Sequence, residues 1–219
     1  MQPLNVAVIG TGWCGGIRAV ALAQHPLAKD LHIAETNEER LAEMVEQTSP
    51  ASSTDQWETI LTKDDVSVVY ISATPEGLHY PMAKAALEAG KHVFLEKPMA
   101  LRLEEADELV ELSESNNLKF TIGYSQRFNA KQAYAKRTLD SGELGDPSSV
   151  LVSRHIGRNL GMKIGNRIKL SPAAMEATHD IDFAMWLLEP RRPVRVYSCL
   201  LYTSPSPRDL STSRMPSSA

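Results

Sequence analysis

The chain has 219 residues, 42% of them hydrophobic, a formal net charge of −4 and two cysteines. That length holds one large domain or two small ones, and the apolar share is ordinary for a globular core. The negative balance argues against nucleic acid as a partner, no apolar run approaches bilayer-spanning length, and the N-terminus does not read as a signal peptide, so a cytoplasmic location is expected.

Leu4-Asn5-Val6-Ala7-Val8-Ile9 is apolar and β-branched, which predicts a buried parallel strand. Gly10-Thr11-Gly12-Trp13-Cys14-Gly15 follows at once, and residues 16–22 read as helix. Strand, G-x-G-x-x-G and helix together form the context in which a glycine loop cradles the pyrophosphate of a dinucleotide. Gly10 permits the tight turn, Gly12 lets the backbone approach the ligand, and Gly15 lets the helix pack close to the strand. The helix N-terminus offers unpaired N–H groups to the anion. Thr11 and Trp13 share this loop and are assigned to the cofactor site with the glycines. Cys14 is expected to be a small residue packed under the cofactor. With no C-x-x-C and no His/Cys cluster, neither a metal nor a redox role is expected.

Leu31-His32-Ile33-Ala34-Glu35 predicts a second strand ending in an acid, the group that accepts ribose hydroxyls. A carboxylate there repels a 2′-phosphate, so NAD is favoured. Arg40, just downstream, keeps NADP possible. Helix is expected over 38–47 and briefly after Thr54, strand over Val66–Ile71, and helix over 78–89 closed by Gly90. Strand over His92–Leu95, amphipathic helix over 103–115 and strand over 118–122 follow. This alternation predicts an α/β, doubly wound parallel sheet of Rossmann type, which binds ligands outside the carboxyl ends of its strands. Thr74-Pro75 and Glu96-Lys97-Pro98 fall at those ends. Pro98 restrains the preceding backbone and so gives Lys97 a defined direction, which makes it a candidate catalytic group. Farther on, Ser171-Pro172 predicts a helix start, and Glu176 and His179 stand on successive turns of that helix. Ile181, Met185 and Leu188 share one stripe of it. A neutral histidine in a cleft can take a proton near pH 7.

The glycine loop, Ala73-Thr74-Pro75 with Leu78-His79, Glu96-Lys97-Pro98, Gly123-Tyr124 with Arg127-Phe128, and His179-Asp180-Ile181-Asp182 stand in one order and spacing. In these segments the chain resembles the glucose–fructose oxidoreductase / inositol dehydrogenase family (Gfo/Idh/MocA), from its N-terminus to about Ser198. The resemblance implies a Rossmann domain over 1–122, followed by an α/β domain with an open, mostly antiparallel sheet. Residues 123–198 would be only the start of that second domain. It implies hydride transfer between NAD(P) and a carbinol or ketone of a sugar, cyclitol or related small molecule. Lys97 and His179 would flank the reacting oxygen, and Thr74, Pro75, His79, Glu96 and Lys97 would serve the cofactor. It also implies homo-oligomers in the full-length protein. Many members carry an aspartate four residues before the histidine; Met175 stands there, and Glu176 is the carboxylate able to substitute. Two other activities occur within the resemblance: a non-catalytic dinucleotide-binding regulator, and a glycosidase that oxidises its substrate transiently with NAD.

Residues 150–156 and 194–198 are expected to be early strands of the second sheet, left without partners. From Cys199 the pattern loses all periodicity. Residues 199–219 resemble, codon for codon, the translation of a transposase sequencing adapter, so they are expected to be disordered and foreign to the protein, whose own chain would continue past Ser198.

Overall fold

Six short strands, each followed by a turn that reverses into a helix, build one parallel sheet. The computed structural model describes residues 2–155 and 172–199. In chain order the elements are β1 (Leu4–Ile9), α1 (Trp13–Ala23), β2 (Ala28–Ala34), α2 (Glu38–Thr48), β3 (Ser52–Thr54), α3 (Glu58–Leu61) and β4 (Val66–Ile71). Then come α4 (His79–Glu88), β5 (His92–Leu95), α5 (Leu103–Ser115), β6 (Phe120–Ile122), α6 (Ala130–Asp140) and α7 (Pro172–Leu187). The strand order is β3-β2-β1-β4-β5-β6, every neighbouring pair parallel. This is the doubly wound order, with its switch point between β1 and β4.

The strands read as continuous apolar runs because both faces of the sheet are covered. Val6 and Val8 of β1 pack with Ala19, Leu31, Ile33 and Met44 on the face that carries α1 and α2. Ala7 and Ile9, one step out of phase, pack with Val69, Ile71, Leu87, Leu95 and Leu109 on the face that carries α4 and α5. Leu109 is fully buried. Leu109→Ala is therefore expected to cost about 2–5 kcal/mol, through lost apolar burial plus the cavity left behind. A urea titration should show the lower midpoint at an unchanged slope.

Local signals set the helix ends. Asn37 caps α2, its Oδ1 accepting from the Arg40 N–H at 2.8 Å, and Glu38 and Glu39 occupy the first turn, where the helix dipole favours anions. Gly90 sits at φ +73° just past α4, as its C-terminal glycine should.

The ladder runs one residue beyond the strands. Gly10 N–H donates to Ala34 O, Ser72 N–H to Ile9 O, Glu96 N–H to Ile71 O and Gly123 N–H to Leu95 O, all at 2.8–2.9 Å. Gly10, Glu35, Ser72, Glu96 and Gly123 thus form one row along the carboxyl edge.

Three expectations need correction or extension. Residues 150–155 and 194–198 form no strand, and Leu151, Val194, Val196 and Tyr197 stand exposed. An apolar β-branched run becomes a strand only when a neighbour supplies the ladder, and none of the described residues does so. The Ile181/Met185 stripe of α7 is likewise largely exposed. β3 and α6 were not legible: β3 is three residues long, and α6 buries no residue fully. Ser171, Ile156, the Met175 side chain and residues 200–219 lie outside the described residues.

Candidate active site

The glycine loop has the shape its residue types predict. Gly10 adopts φ +81°, and a Cβ there would stand 2.8 Å from the Ala73 backbone. A Cβ on Gly15 would stand 1.8 Å from Gly10 O. Both positions exclude any side chain. Gly12 differs: no atom lies within 4 Å of its Cβ position. It is the N-cap of α1 and contributes no side-chain cap. The N-terminal end of α1 is thus open at Gly12, as a cradle in which helix N–H groups would hold a pyrophosphate requires. Trp13 is 82% exposed and Cys14 is exposed on the same turn. Cys14, on the first turn of α1, is not covered by the protein itself.

Glu35 ends β2 and is buried, and both its carboxylate oxygens are engaged within the protein. Oε2 accepts from Thr11 N–H (2.7 Å) and Thr11 Oγ1 (3.0 Å); Oε1 accepts from Asn37 N–H (2.9 Å) and Arg40 Nη2 (3.0 Å). Glu35 thus ties the glycine loop to the head of α2, a role the sequence did not suggest. Burial pushes its carboxyl upward, but the hydrogen bonds from Arg40, Asn37 and Thr11 outweigh burial and hold the pKa at about 2, against an ordinary 4.5. A depressed pKa stabilises the fold above the unfolded value, and that stability is lost as pH falls. Wild type should exceed Glu35→Gln in unfolding free energy by on the order of 2–3 kcal/mol above pH 4.5, the gap closing between about pH 4.5 and 2. Urea titrations at pH 7 and pH 3 would read this; an equal gap at both would refute it.

Thr74 and Pro75 are exposed at the end of β4. His79 is 1% exposed and faces backbone on both sides, Nδ1 lying 2.7 Å from Pro98 O and Nε2 3.0 Å from Ala73 O. Whatever it contributes to a dinucleotide is indirect. Glu96, also buried, pairs with Arg18 of α1 and accepts from the N–H of Lys97 at 3.2 Å. Its carboxylate lies against Gly123, where a Cβ would come within 2.9 Å of Oε1. Arg18 rests its guanidinium 4.7 Å from the centre of the Phe94 ring. Glu96 is thus occupied below the edge, with Lys97 next to it.

α7 closes the far side. Arg127 makes two hydrogen bonds to Asp182, at 2.9 and 2.6 Å, and stacks 5.6 Å from the Trp186 ring centre, fastening α7 to the turn after β6. This brings Glu176 Oε1 to 3.5 Å from Lys97 Nζ. Glu176 Oε2 lies 3.7 Å from Arg154, which also grips Asp180 through two contacts of 2.6 and 2.7 Å. Neither Arg154 nor Arg18 carries a signal along the chain, since single arginines outside any motif look like surface residues. His179 sits on the next turn of α7, edge-on to Tyr124 at 6.3 Å between ring centres. Its Nδ1 is buried and has no hydrogen-bond partner among the described residues. Burial lowers its pKa below 6.5; the charges of Lys97 and Arg154 lower it further, and those of Glu176 and Glu96 oppose them. The ring is therefore neutral at pH 7 and able to accept a proton.

A family pattern described as an oxidoreductase family with an NAD-binding Rossmann fold (Gfo/Idh/MocA) matches residues 4–124. The chain belongs to this family. Among its curated members, an uncharacterised oxidoreductase of Synechocystis is 32% identical over 94% of the chain and 57% of its own length. Levoglucosan dehydrogenase of Pseudarthrobacter phenanthrenivorans is 36% identical over 66% of the chain and 39% of its own length. Inositol 2-dehydrogenase of Salmonella typhimurium is 35% identical over 63% and 40%. A crystal structure of scyllo-inositol dehydrogenase from Lactobacillus casei, with NAD(H) and scyllo-inositol bound, superposes with a TM-score of 0.75 at 26% identity, covering 85% of this chain and 56% of that one. The chain spans about half the length of the curated relatives it matches. Among the described residues no helix is long and apolar enough to cross a membrane.

Proposed function

We propose that this chain carries the cofactor site and acid/base groups of an NAD-dependent oxidoreductase acting on a carbinol of a sugar, cyclitol or related polyol. The observation that carries the reading is the convergence on one sheet edge of an open glycine cradle over Gly12 and a neutral His179 beside the Lys97–Glu176 pair. The substrate class rests on the inositol and levoglucosan dehydrogenases among the relatives.

Gly10, Thr11, Gly12, Trp13 and Gly15 would hold the pyrophosphate, Glu35 the adenosine end, and Thr74, Pro75 and Lys97 the nicotinamide end. NAD, when bound, supplies the hydride acceptor. His179 takes the proton from the substrate hydroxyl as its carbon is oxidised, and Lys97 hydrogen-bonds the same oxygen and stabilises its developing charge. Glu176 lies between the two cations Lys97 and Arg154 and limits the charge that faces His179. NADP use remains compatible with the site, since Arg40 offsets the charge of Glu35. In the full-length protein residues 1–122 form the cofactor domain. Residues 123–198 open a substrate and oligomerisation domain whose later strands complete an open, mostly antiparallel sheet.

Calorimetric titration of this chain with NAD tests the cradle. Incubation of the full-length protein with NAD and a panel of polyols and sugars, followed by absorbance of the reduced nicotinamide, tests the chemistry. No NAD binding, or binding with no oxidation of any polyol and instead cleavage of a glycoside, would overturn this reading.

A further inference from the structure

Two turns meet at the nicotinamide end of the candidate site, and one buried side chain joins them. Ala73-Thr74-Pro75 follows β4, and Glu96-Lys97-Pro98 follows β5. Neither Ala73 nor Pro98 lies in a strand or helix, so their carbonyls depend on other partners. His79, the first residue of α4, stands between them at 1% exposure, Nε2 3.0 Å from Ala73 O and Nδ1 2.7 Å from Pro98 O. We propose that His79 is a positioning residue that couples these two turns, setting the cofactor edge through Ala73 and the direction of Lys97 through Pro98.

The coupling follows from covalent geometry. The Pro98 carbonyl is one residue from the Lys97 Cα, so holding that oxygen restrains where the lysine stem begins. The Ala73 backbone is the surface against which Gly10 packs, a Cβ on Gly10 coming within 2.8 Å of it. Holding Ala73 therefore also backs the glycine turn. The ring is anchored at the head of α4, whose Met82, Ala83, Ala86 and Leu87 are core residues. A rigid, packed helix thus fixes both turns through a single imidazole. A neutral imidazole donates its single N–H to one of these carbonyls, and only the doubly protonated ring donates to both; an apolar side chain of similar size fills the space but donates to neither, so the surrounding backbone must move to satisfy them. Asparagine keeps an N–H donor for one of them.

The proposal rests on the oxidoreductase reading for its purpose, and its test does not. The chain would be prepared as wild type, His79→Leu and His79→Asn. Each would be treated with a water-soluble amine-acylating reagent, and acylation at every lysine followed by peptide mass spectrometry. Lys97 is partly buried, and Lys91 is a buried lysine whose Nζ donates to Lys63 O at 2.7 Å, so Lys91 reports general loosening. NAD affinity would be measured by calorimetry on the same samples. In His79→Leu the acylation rate of Lys97 is expected to rise about fivefold or more against an unchanged Lys91, and the NAD Kd about tenfold. His79→Asn should fall between leucine and wild type on both measures. A Lys97 rate in His79→Leu within about twofold of wild type, or one that rises only in step with Lys91, would overturn the proposal. Should His79→Leu fail to fold, the asparagine variant decides by the same ratio of Lys97 to Lys91. A wild-type chain that does not bind NAD would count against the function proposed above and leave the acylation comparison intact, because acylation needs no cofactor.

Discussion

Lys97→Ala and His179→Ala are each expected to lower kcat for polyol oxidation by a factor of about 10²–10⁴, His179→Ala with NAD affinity nearly unchanged and Lys97→Ala with NAD affinity weakened as well, since Lys97 also serves the nicotinamide end. In the proposed mechanism His179 accepts the hydroxyl proton, and its ring is neutral because burial and the nearby charges of Lys97 and Arg154 disfavour the imidazolium. In the proposed mechanism Lys97 does two things at once: it would offer an N–H donor to the reacting oxygen, and its charge helps keep His179 unprotonated. This predicts the pH profile as well as the loss. A group whose pKa is lowered stays in its basic form until the pH falls below its ordinary value. The acid limb of kcat/KM should therefore lie below pH 6.5 in the wild type and move up toward 6.5 in Lys97→Met, where one opposing charge is gone. The stability linkage has the same direction: the unfolded ring protonates first, so folding loses stability as pH falls below 6.5. Near-normal turnover in either alanine variant would remove that residue from the mechanism, and an acid limb that stays put in Lys97→Met would remove the lysine from the tuning of His179.

The glycine loop separates binding from folding. Gly12→Ala should lose NAD affinity by about a hundredfold or more while its unfolding midpoint stays near that of the wild type. The reason is that a Cβ on Gly12 meets no protein atom within 4 Å, and its φ of −57° lies outside the left-handed region that alanine avoids. The new methyl group occupies space that only a ligand would need. Gly15→Ala is the contrasting case. Its Cβ would fall 1.8 Å from Gly10 O, so the helix must move away from β1 or the turn must open. Both affinity and stability should drop together, stability by several kcal/mol, about the range of a severely overpacked core site. Denaturant curves and NAD calorimetry on the two variants would check both. If Gly12→Ala binds NAD as the wild type does, the pyrophosphate does not lie over Gly12.

Several features of this protein were legible from residue order alone because they depend on neighbours along the chain. The β1 run and its glycine loop, the caps of α2 and α4, and the alternation of strand with helix are local patterns of hydrophobicity and backbone freedom. They were enough to place Lys97 at a strand end and to predict a doubly wound sheet. The family resemblance rested on the same local segments, and the match over residues 4–124 bears it out.

Other features depend on partners far away in sequence, and only the tertiary structure decided them. Glu35 reads as a ribose acceptor, and only the fold shows that it also ties the glycine loop to α2 through Thr11, Asn37 and Arg40. His79 and Glu96 read as cofactor residues, and only the fold shows that both are buried, His79 against the Ala73 and Pro98 carbonyls and Glu96 against the Lys97 N–H. Arg18 and Arg154 have no local signature, and nothing local pairs Arg127 with Asp182, since an arginine's role is set by whichever carboxylate the fold brings within reach of its long stem. The runs at 150–155 and 194–198 have strand composition but no ladder among the described residues. Composition states a preference for extended backbone; a strand exists only when a second segment, remote in the chain, supplies its hydrogen bonds.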